Sequence, residues 1–418
     1  MVKLLILSDD FTGALDTGIQ FVKYQAKTRI FVGSETDDID FEKEDAEVLV
    51  VNLETRHLSK EKAYETVYKI VAKAVEAGIP YIYKKTDSVL RGNIGSELSA
   101  AIHAGGIKFL PFIPALPKMD RVTRGGIHYA ENIPISDTVF GKDLYDPVLS
   151  SRVKDLFSGC DVQVAALSKS NHYDTDFKDN TIGVFDAEND QDILTIAKHL
   201  KEKNQLHVMA GCAGFASVLP EVITLSKGSV TVPQLNNPLL VVCGSIHPVT
   251  RKQVEYAEKI GYKRVSLEPQ QILEADYPDS GEGQQWIASF KEELKNNKVV
   301  MIDTGISNPE VYASYSKKMG IELTQAGKMI AKGLSRITKE LIDEQWTGVV
   351  MVIGGDTLAQ FFRATKCSEI ELVCELEPGT VLSRVKLGEK MVWVLSKSGG
   401  FGNENLIPVL VKKIEKMI

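Results

Sequence analysis

Short, uninterrupted runs of aliphatic residues recur along the chain, and the first of them occupies residues 4–7. A run without alternation of apolar and polar positions is typical of a strand buried on both faces of a parallel sheet. A helix-compatible segment follows at about residues 12–25, and the order of strand and helix then repeats. This alternation predicts right-handed βαβ units, and hence an α/β fold with largely parallel sheets flanked by helices.

Further strands are predicted wherever a similar run of β-branched and aromatic residues stands between turn formers. In the first half of the chain these runs occupy residues 29–32, 48–51, 81–83, 109–113, 162–166, 182–185 and 207–211. Helices are predicted near residues 59–76 and 190–203. Because strands and helices alternate, we expect one parallel sheet in this half.

Residues 121–135 interrupt this alternation and are predicted to be an insertion that bears a β-hairpin. The insertion carries two cations, Arg121 and Arg124. It also carries His128, which we interpret as a structural hydrogen-bonding residue because that role is commoner for a histidine than catalysis.

A domain boundary is predicted at residues 226–238, where helical periodicity is lost and turn-forming residues collect. The pattern then restarts with apolar runs that each lead into a small or polar turn, at residues 239–243, 299–302, 349–353 and 391–395. Helices are predicted near residues 248–260 and 404–416. We therefore predict two domains, residues 1–228 and 238–418, joined by a linker at 229–237.

Composition and charge narrow the class of protein. With 44% hydrophobic and 25% charged residues, the chain has the composition of an ordinary globular protein. Its net charge of -7 argues against general binding to nucleic acid or to an anionic membrane. The first residues do not resemble a signal peptide, and no apolar run approaches the ~18 residues that a membrane span needs. We expect a cytoplasmic protein with no nucleic-acid or membrane partner, and leave open whether it forms a homo-oligomer.

The five cysteines are scattered along the chain and include no CxxC pair. This spacing indicates neither a disulfide framework nor a zinc site. Most of them are expected to be small core residues.

The first candidate chemistry is at the end of the first strand, where Asp9 and Asp10 stand side by side. In an open α/β sheet the ligand binds beyond the carboxyl ends of the strands, which is where both carboxylates would lie. Asn52 and Arg56 follow the strand at residues 48–51 and would share that edge. The alternative is purely structural, with Asp10 capping the next helix and Asp9 in a turn.

The loop at residues 84–95 has the composition of an anion-binding loop, with two lysines, Asp87 and Arg91 close together. Arg91 can bind a carboxylate through two parallel hydrogen bonds. The helix start at Gly92 and Asn93 adds backbone N–H groups and the positive end of a helix dipole. The alternative is a solvated loop in which Asp87 and Arg91 form a surface ion pair.

In the second half, small residues at several strand ends predict a shelf of backbone N–H groups that phosphates can bind. These residues are Gly244, Ser245, Gly354, Gly355, Asp356, Thr357, Gly399 and Gly402. Lys397 stands just before the last of these turns. No GxxxxGK[ST] motif occurs, and the first strand does not lead into GxGxxG, so a Walker-type site and a dinucleotide dehydrogenase are both disfavoured.

Taken together, these stretches resemble the four-carbon acid sugar kinase family, which includes the D-threonate, D-erythronate and 3-oxo-tetronate kinases. The matching segments are residues 8–14, 85–93, 125–129, 244–245, 354–357 and 397–402. The resemblance implies an N-terminal acid-sugar-binding domain and a C-terminal nucleotide-binding domain. It implies ATP-dependent phosphorylation of the terminal hydroxyl of an acid sugar in a cleft between the domains, with Mg²⁺ on the phosphates.

The resemblance also assigns residues to the nucleotide, with two departures from the family pattern. The family's nucleotide contacts match Ser245, the turn that comprises Gly354, Gly355, Asp356 and Thr357, and the last turn at Gly399 or Gly402. The family often has glutamate where this chain has Asp356, and asparagine where it has Gly400. Neither change removes a backbone donor, so nucleotide binding is still expected, whereas no metal ligand is assigned.

These elements give a mechanistic hypothesis for the sugar side. Arg91, Gly92 and Asn93 hold the substrate carboxylate. Asp9, Asp10 or Asp87 orients the terminal hydroxyl and accepts its proton, with Asp10 and Asp87 as the catalytic candidates and Asp9 in substrate binding. The choice among threonate, erythronate and 3-oxo-tetronate stays open. The rival functions are a phosphate-handling lyase or isomerase and a non-catalytic sugar-acid-binding protein.

Overall fold

A computed structural model describes residues 1–32, 39–143, 146–168, 177, 179–226, 238–245, 247–274, 276–304, 309–397 and 399–416. The chain divides into two compact units, Met1–Ser229 and Val230–Ile418, and each is described by itself. The predicted linker at residues 229–237 lies outside the described residues. The predicted bounds of the two domains, and the predicted cleft between them, therefore stay predictions.

The first unit contains eleven described strands. They are β1 (Leu4–Ser8), β2 (Thr28–Phe31), β3 (Val48–Asn52), β4 (Tyr81–Lys85), β5 (Phe109–Ile113), β6 (Arg121–Arg124), β7 (Ile127–Ala130), β8 (Ile133–Pro134), β9 (Gln163–Leu167), β10 (Thr181–Phe185) and β11 (Val208–Gly211). The main sheet has the order β2-β3-β1-β4-β11-β5-β10-β9, and every pairing in it is parallel. Every residue of β1, β3 and β5 is buried, as their unbroken apolar sequences predict.

Helices flank this sheet. They are α1 (Phe11–Val22), α2 (Lys60–Glu76), α3 (Ile94–Gly105), α4 (Asp190–Glu202) and α5 (Ala213–Val222). Side chains of Asp10, Ser59 and Asn189 cap α1, α2 and α4 by accepting a hydrogen bond from a backbone N–H of the first turn. The predicted helices are present, although α1 ends three residues earlier than expected.

The predicted insertion is a small antiparallel sheet in the order β6-β7-β8. The turn between β6 and β7 is made by Gly125 and Gly126, both with positive φ, as tight hairpin turns require. Thr123 and His128 lie opposite each other across this hairpin.

The second unit contains strands β12 (Leu239–Cys243), β13 (Lys263–Ser266), β14 (Val299–Asp303), β15 (Val349–Ile353), β16 (Glu369–Glu377), β17 (Thr380–Leu387) and β18 (Lys390–Lys397). Its helices are α6 (Pro248–Lys259), α7 (Pro269–Leu273), α8 (Gly281–Asn296), α9 (Pro309–Lys318), α10 (Leu323–Asp343), α11 (Gly355–Ala364) and α12 (Leu406–Lys416). Among the described parts of the chain, no helix is both long enough and apolar enough to cross a membrane.

The sheet of the second unit has the order β13-β14-β12-β15-β18-β17-β16. The pairings among β13, β14, β12, β15 and β18 are parallel, whereas β17 runs antiparallel to both of its neighbours, β16 and β18. The α/β class with largely parallel sheets is therefore confirmed. The antiparallel hairpin β16–β17 was not predicted.

Candidate active site

Parallel register aligns the carboxyl ends of three neighbouring strands in the first unit. Ser8 pairs with Asn52 on one side of β1 and with Lys85 on the other. The residues that follow these three positions therefore emerge at one edge of the sheet, which we call the rim. Asp9, Arg56 and Asp87 belong to the rim.

Arg56 is the centre of the rim because its guanidinium contacts three carboxylates. Its Nε donates to Oδ2 of Asp9 at 2.8 Å, and its Nη1 lies 2.8 Å from Oδ2 of Asp10. Its Nη2 lies 3.4 Å from Oδ1 of Asp87. The Arg56 side chain is only 11% exposed, so these ion pairs are largely shielded from solvent screening. Sequence reasoning placed Arg56 at this edge but gave it no role.

Asp10 is the carboxylate best suited to accept a proton. Burial raises its pKa above the usual aspartate value, and the neighbouring charge of Asp9 raises it further, against the opposing effects of Lys85 and Arg56. Its Oδ1 caps α1 by accepting from the N–H of Gly13 at 2.8 Å. The side chain is 25% exposed, compared with 3% for Asp9. Asp10 is therefore both reachable and more basic than an ordinary aspartate.

Asp87 is in a different electrostatic environment. Arg91 donates to it through Nε at 2.9 Å and through Nη2 at 3.1 Å, a bidentate pair. Burial by itself would raise the pKa of Asp87, but the hydrogen bonds from Arg91 and the charges of Arg56 and Lys85 hold it well below the usual range. Asp87 is therefore a weak proton acceptor. The prediction that Arg91 binds the substrate carboxylate stays a prediction, since two of its nitrogens bind Asp87 here.

The carboxylate of Asp9 and the ammonium group of Lys85 lie near each other on the rim but do not form a hydrogen bond. Oδ1 of Asp9 is buried without a hydrogen-bond partner among the described residues, and Nζ of Lys85 lies 3.9 Å from it. Gly13 makes this arrangement possible, because a Cβ there would lie 2.6 Å from Lys85 Nζ and would also collide with Asp10. A buried acceptor without a partner is costly unless a ligand supplies the donor.

Gly92 and Asn93, both predicted to bind substrate, support the segment that carries Arg56. Gly92 has a φ of +86°, and a Cβ there would lie 3.1 Å from Cγ of Arg56. Nδ2 of Asn93 donates to the backbone oxygens of Thr55 at 3.0 Å and Leu58 at 2.8 Å. The structure thus brings both residues to the rim, and their binding role stays a prediction.

A buried ion pair beneath the rim holds the same segment from below. Nζ of Lys84 lies 3.1 Å from Oε2 of Glu97, and both side chains are almost fully buried. Glu97 also accepts a hydrogen bond from the hydroxyl of Thr55. Because Thr55 precedes Arg56, this network fixes the backbone from which the central guanidinium extends.

The β6–β7 hairpin docks on the rim through His128. Its Nε2 lies 2.9 Å from the backbone oxygen of Ser88, and its Nδ1 lies 3.0 Å from Oγ1 of Thr123. A carbonyl only accepts, so Nε2 carries the proton and Nδ1 accepts from the threonine hydroxyl. Burial lowers the pKa of His128 to about 4, which keeps the ring neutral. The structural role predicted for His128 agrees with these contacts.

The lowered pKa of His128 gives a prediction about stability. Between pH 6.5 and about 4 the unfolded chain binds a proton at His128 that the folded chain does not, so stability falls as pH falls through this window. Across this window the free energy of unfolding should fall by about 3 kcal/mol on account of His128. Urea unfolding at a series of pH values should show that the free energy of unfolding of His128→Gln depends less on pH in this range than that of the wild type. His57→Gln, at an exposed position, should keep the wild-type slope; equal slopes for all three proteins would contradict the assignment.

In the second unit two of the predicted nucleotide residues, Gly354 and Gly399, adjoin a third, Ser245. A Cβ at Gly399 would collide with the hydroxyl of Ser245, and a Cβ at Gly354 would lie 3.4 Å from the Cβ of Ser245. Thr357 adjoins Gly244 so closely that only glycine fits there. Gly354 has a φ of +114° and provides no side-chain cap for α11. Among the described residues, no side chain accepts from the first backbone N–H groups of α11, which suits an anionic ligand.

Gly355 and Asp356 are exposed at the start of α11, on the same turn. Gly402 is placed differently, because a Cβ there would lie 2.7 Å from Leu406 and 3.2 Å from Nε2 of Gln253. The structure thus groups Ser245 with the turn at residues 354–357 and with Gly399, and sets Gly402 against α6 and α12.

Helix α6 orients the last glycine turn by binding its carbonyls. Thr250 Oγ1 donates to the oxygen of Gly399 at 2.8 Å. Nε2 of Gln253 donates to the oxygens of Phe401 and Asn403, both at 2.9 Å. Nζ of Lys397 also donates to Gly399 O, at 3.2 Å, and burial lowers the pKa of this lysine to about 8. Hydrogen bonds from α6 thus hold three carbonyls of this turn, an arrangement that sequence reasoning missed.

Comparison with known proteins identifies the family. A D-threonate kinase of Salmonella typhimurium is 27% identical over 100% of this chain and 99% of its own, and a D-erythronate kinase of Heliobacterium modesticaldum is 25% identical over 97% and 95%. Residues 4–219 match a family model described as a sugar-binding N-terminal domain, and residues 240–407 match one described as a nucleotide-binding C-terminal domain. The chain belongs to the four-carbon acid sugar kinase family.

A solved structure supports the fold of this acid sugar kinase family member. The crystal structure of a Haemophilus influenzae protein superposes with a TM-score of 0.79 at 18% identity, covering 98% of this chain and 99% of that one. Within the kinase, the rim lies in the segment that matches the sugar-binding model, and the glycine turns lie in the segment that matches the nucleotide-binding model.

Proposed function

We propose that the protein transfers the γ-phosphoryl group of ATP to the terminal hydroxyl of a four-carbon acid sugar, namely threonate, erythronate or 3-oxo-tetronate. The observation that carries the proposal is Asp10, a reachable carboxylate with a raised pKa on the rim of the sugar-binding segment. Phosphoryl transfer needs an oriented hydroxyl and an acceptor for its proton, and Asp10 offers both functions.

The other rim residues act around that carboxylate. Arg56 keeps Asp10 oriented through its ion pair at 2.8 Å. Oδ1 of Asp9 accepts a hydrogen bond from a substrate hydroxyl, and Lys85 donates to a substrate oxygen beside it. Asp87 stays ionised and holds Arg91, so its contribution is electrostatic and structural rather than that of a base.

The ATP phosphates are proposed to lie on the backbone N–H groups at the start of α11, beside Ser245 and Gly399. Among the described residues, no group of three or more His, Cys, Asp or Glu side chains is arranged to hold a metal ion. Mg²⁺ in phosphoryl-transfer sites is usually held by one or two carboxylates together with the phosphates, and the exposed Asp356 fits that role. The ion would neutralise charge on the phosphates.

Gln253→Leu tests the nucleotide side. The substitution removes the hydrogen bonds that Gln253 donates to the carbonyls of Phe401 and Asn403. Each carbonyl left without a donor costs about 1–3 kcal/mol. We expect the KM for ATP to rise about tenfold, while the KM for the acid sugar changes less than about twofold. Steady-state kinetics with each substrate varied in turn measures both. Gln284→Leu, which removes an exposed glutamine, is the control, and an unchanged KM for ATP would refute the role of α6.

The direct test of function is ADP release with ATP, Mg²⁺ and a panel of tetronates. The panel contains D-threonate, L-threonate, D-erythronate, L-erythronate and the 3-oxo-tetronates, and a coupled assay reports ADP. We expect ADP and a 4-phosphorylated product in equal amounts with at least one member. Conversion of a tetronate without ADP would instead indicate a lyase or isomerase, and saturable binding without turnover would indicate a sensor.

A further inference from the structure

Arg121 is a cation that lies beside the rim and contacts the loop that carries Asp87. Its Nη1 donates to the hydroxyl of Ser88, the residue after Asp87. No described carboxylate lies within ion-pair distance of its guanidinium, and Nε and Nη2 make no hydrogen bond to the described residues. Burial lowers the pKa of Arg121 and the charge of Arg91 lowers it further, whereas the charge of Asp87 acts in the opposite direction. A half-buried guanidinium in such surroundings favours an anionic ligand.

The other rim cations differ from Arg121 in this respect. Arg56 binds Asp9 and Asp10 directly, Arg91 binds Asp87 through two nitrogens, and Lys85 lies 3.9 Å from Asp9. A ligand that took Arg91 from Asp87 would leave Asp87 with fewer donors, and that rearrangement would cost affinity. A ligand that bound Arg121 would break no ion pair in the protein.

The surroundings of Arg121 suit a planar anion. The ring of Phe140 covers one face of the guanidinium, with 5.5 Å between the ring centroid and Cζ. The edge that carries Nε and Nη2 presents two parallel N–H groups, the arrangement that binds a carboxylate in bidentate fashion. A cation shielded on one face by an aromatic ring binds an anion more strongly than one in water.

The hairpin also fixes where Arg121 stands. Arg121 begins β6, and Thr123 of the same strand bonds His128, which in turn bonds the carbonyl of Ser88. Ser88 is thus bound through its carbonyl by His128 and through its hydroxyl by Arg121. The hairpin is therefore anchored at two points to the loop that carries Asp87, so the guanidinium has a defined position on the rim.

We propose that Arg121, at the start of the β6–β7 hairpin, binds the carboxylate of the acid sugar and thereby selects acids over neutral sugars. The inference rests on the proposed function for the identity of the substrate. In this proposal the role of Arg91 is to keep Asp87 ionised through its two hydrogen bonds. A ligand without a carboxylate would leave the Arg121 guanidinium desolvated and unpaired, which is the physical basis of the selection.

The experiment compares each acid with its uncharged primary amide. Isothermal titration calorimetry gives the affinities of D-threonate, D-erythronate and their amides for the wild type, Arg121→Ala and Arg121→Gln; the glutamine variant keeps bulk against Phe140. We expect the acid-over-amide preference of the wild type to fall about 30- to 1,000-fold in both variants. The KM for ATP should stay within about twofold of the wild-type value.

Arg124→Ala is the matched control, because it removes an arginine from the same strand whose side chain binds Asn132 and Glu188 instead. It should keep the wild-type preference. The proposal is overturned if the Arg121 variants keep the preference, if the wild type has none, or if Arg91→Ala alone removes it. Selective binding of the acid without ADP release would refute the kinase function and leave the assignment of Arg121 intact.

Discussion

Replacing Asp10 with asparagine is expected to lower kcat by about 10²- to 10⁴-fold, the usual contribution of a general base. Asparagine keeps the shape of the side chain and is a good helix N-cap, so α1 should still begin at the same residue. The loss should therefore appear in kcat at saturating substrates, with little change in the KM for ATP. Steady-state kinetics of the purified variant measures the effect.

The pH profile distinguishes a base from a purely structural carboxylate. The pKa of Asp10 is raised by burial and by Asp9, so the residue takes up its proton at a higher pH than an ordinary aspartate does. Activity that needs the ionised form is lost as pH falls through this raised pKa. The acidic limb of kcat/KM in the wild type should therefore lie above the ordinary value of 3.8.

Asp87→Asn is the comparison for this experiment. It weakens the pairing with Arg91 but leaves Asp10 in place, so we expect mainly a higher KM for the acid sugar. If Asp10→Asn keeps full kcat while Asp87→Asn loses it, the base is Asp87 rather than Asp10. If both variants keep full kcat, the base lies elsewhere.

Arg56→Met should cost about 3–5 kcal/mol of folding free energy, because it leaves buried carboxylates without their shared cation. Methionine keeps much of the volume, so the loss reports charge rather than a cavity. Urea unfolding at neutral pH measures the change. Activity should fall as well, since Asp10 loses the ion pair that orients it.

The pH dependence of this loss has a definite sign. The pKa of Asp87 is lowered in the folded wild type, so its ion pairs stabilise the fold above the unfolded pKa and this contribution is lost as pH falls. The difference between Arg56→Met and the wild type should therefore shrink in acid. Arg152→Ala, at an exposed position, should change stability by less than about 0.5 kcal/mol. A comparably small change for Arg56→Met would show that the guanidinium does not stabilise the cluster.

Much of the fold followed from local sequence. The strand at residues 4–7 was predicted because four aliphatic residues stand together, and it is buried on both faces as β1. The hairpin β16–β17 escaped prediction because its strands face partly toward solvent, with alternating exposure at residues 384–387 in place of a continuous apolar run.

The amino-acid sequence by itself determined which residue types stand at the strand ends, since strands of known period and parallel direction bring Asp9, Asp10 and Asp87 to one edge. It also determined the glycine turns, because only glycine tolerates the backbone of Gly354 and the close approach at Gly244.

Only the tertiary structure decided which charges are paired. Arg56 and Asp9 are 47 positions apart, and Ser88 and Arg121 are 33 apart, so their contacts depend on strand register and on where the hairpin docks. The composition of its loop predicted that Arg91 binds the anionic substrate. In the structure Arg91 binds Asp87, whereas Arg121 has no carboxylate partner among the described residues. The physical reason is that a charge's role is set by its nearest partners and its burial, and both arise only when distant segments pack together.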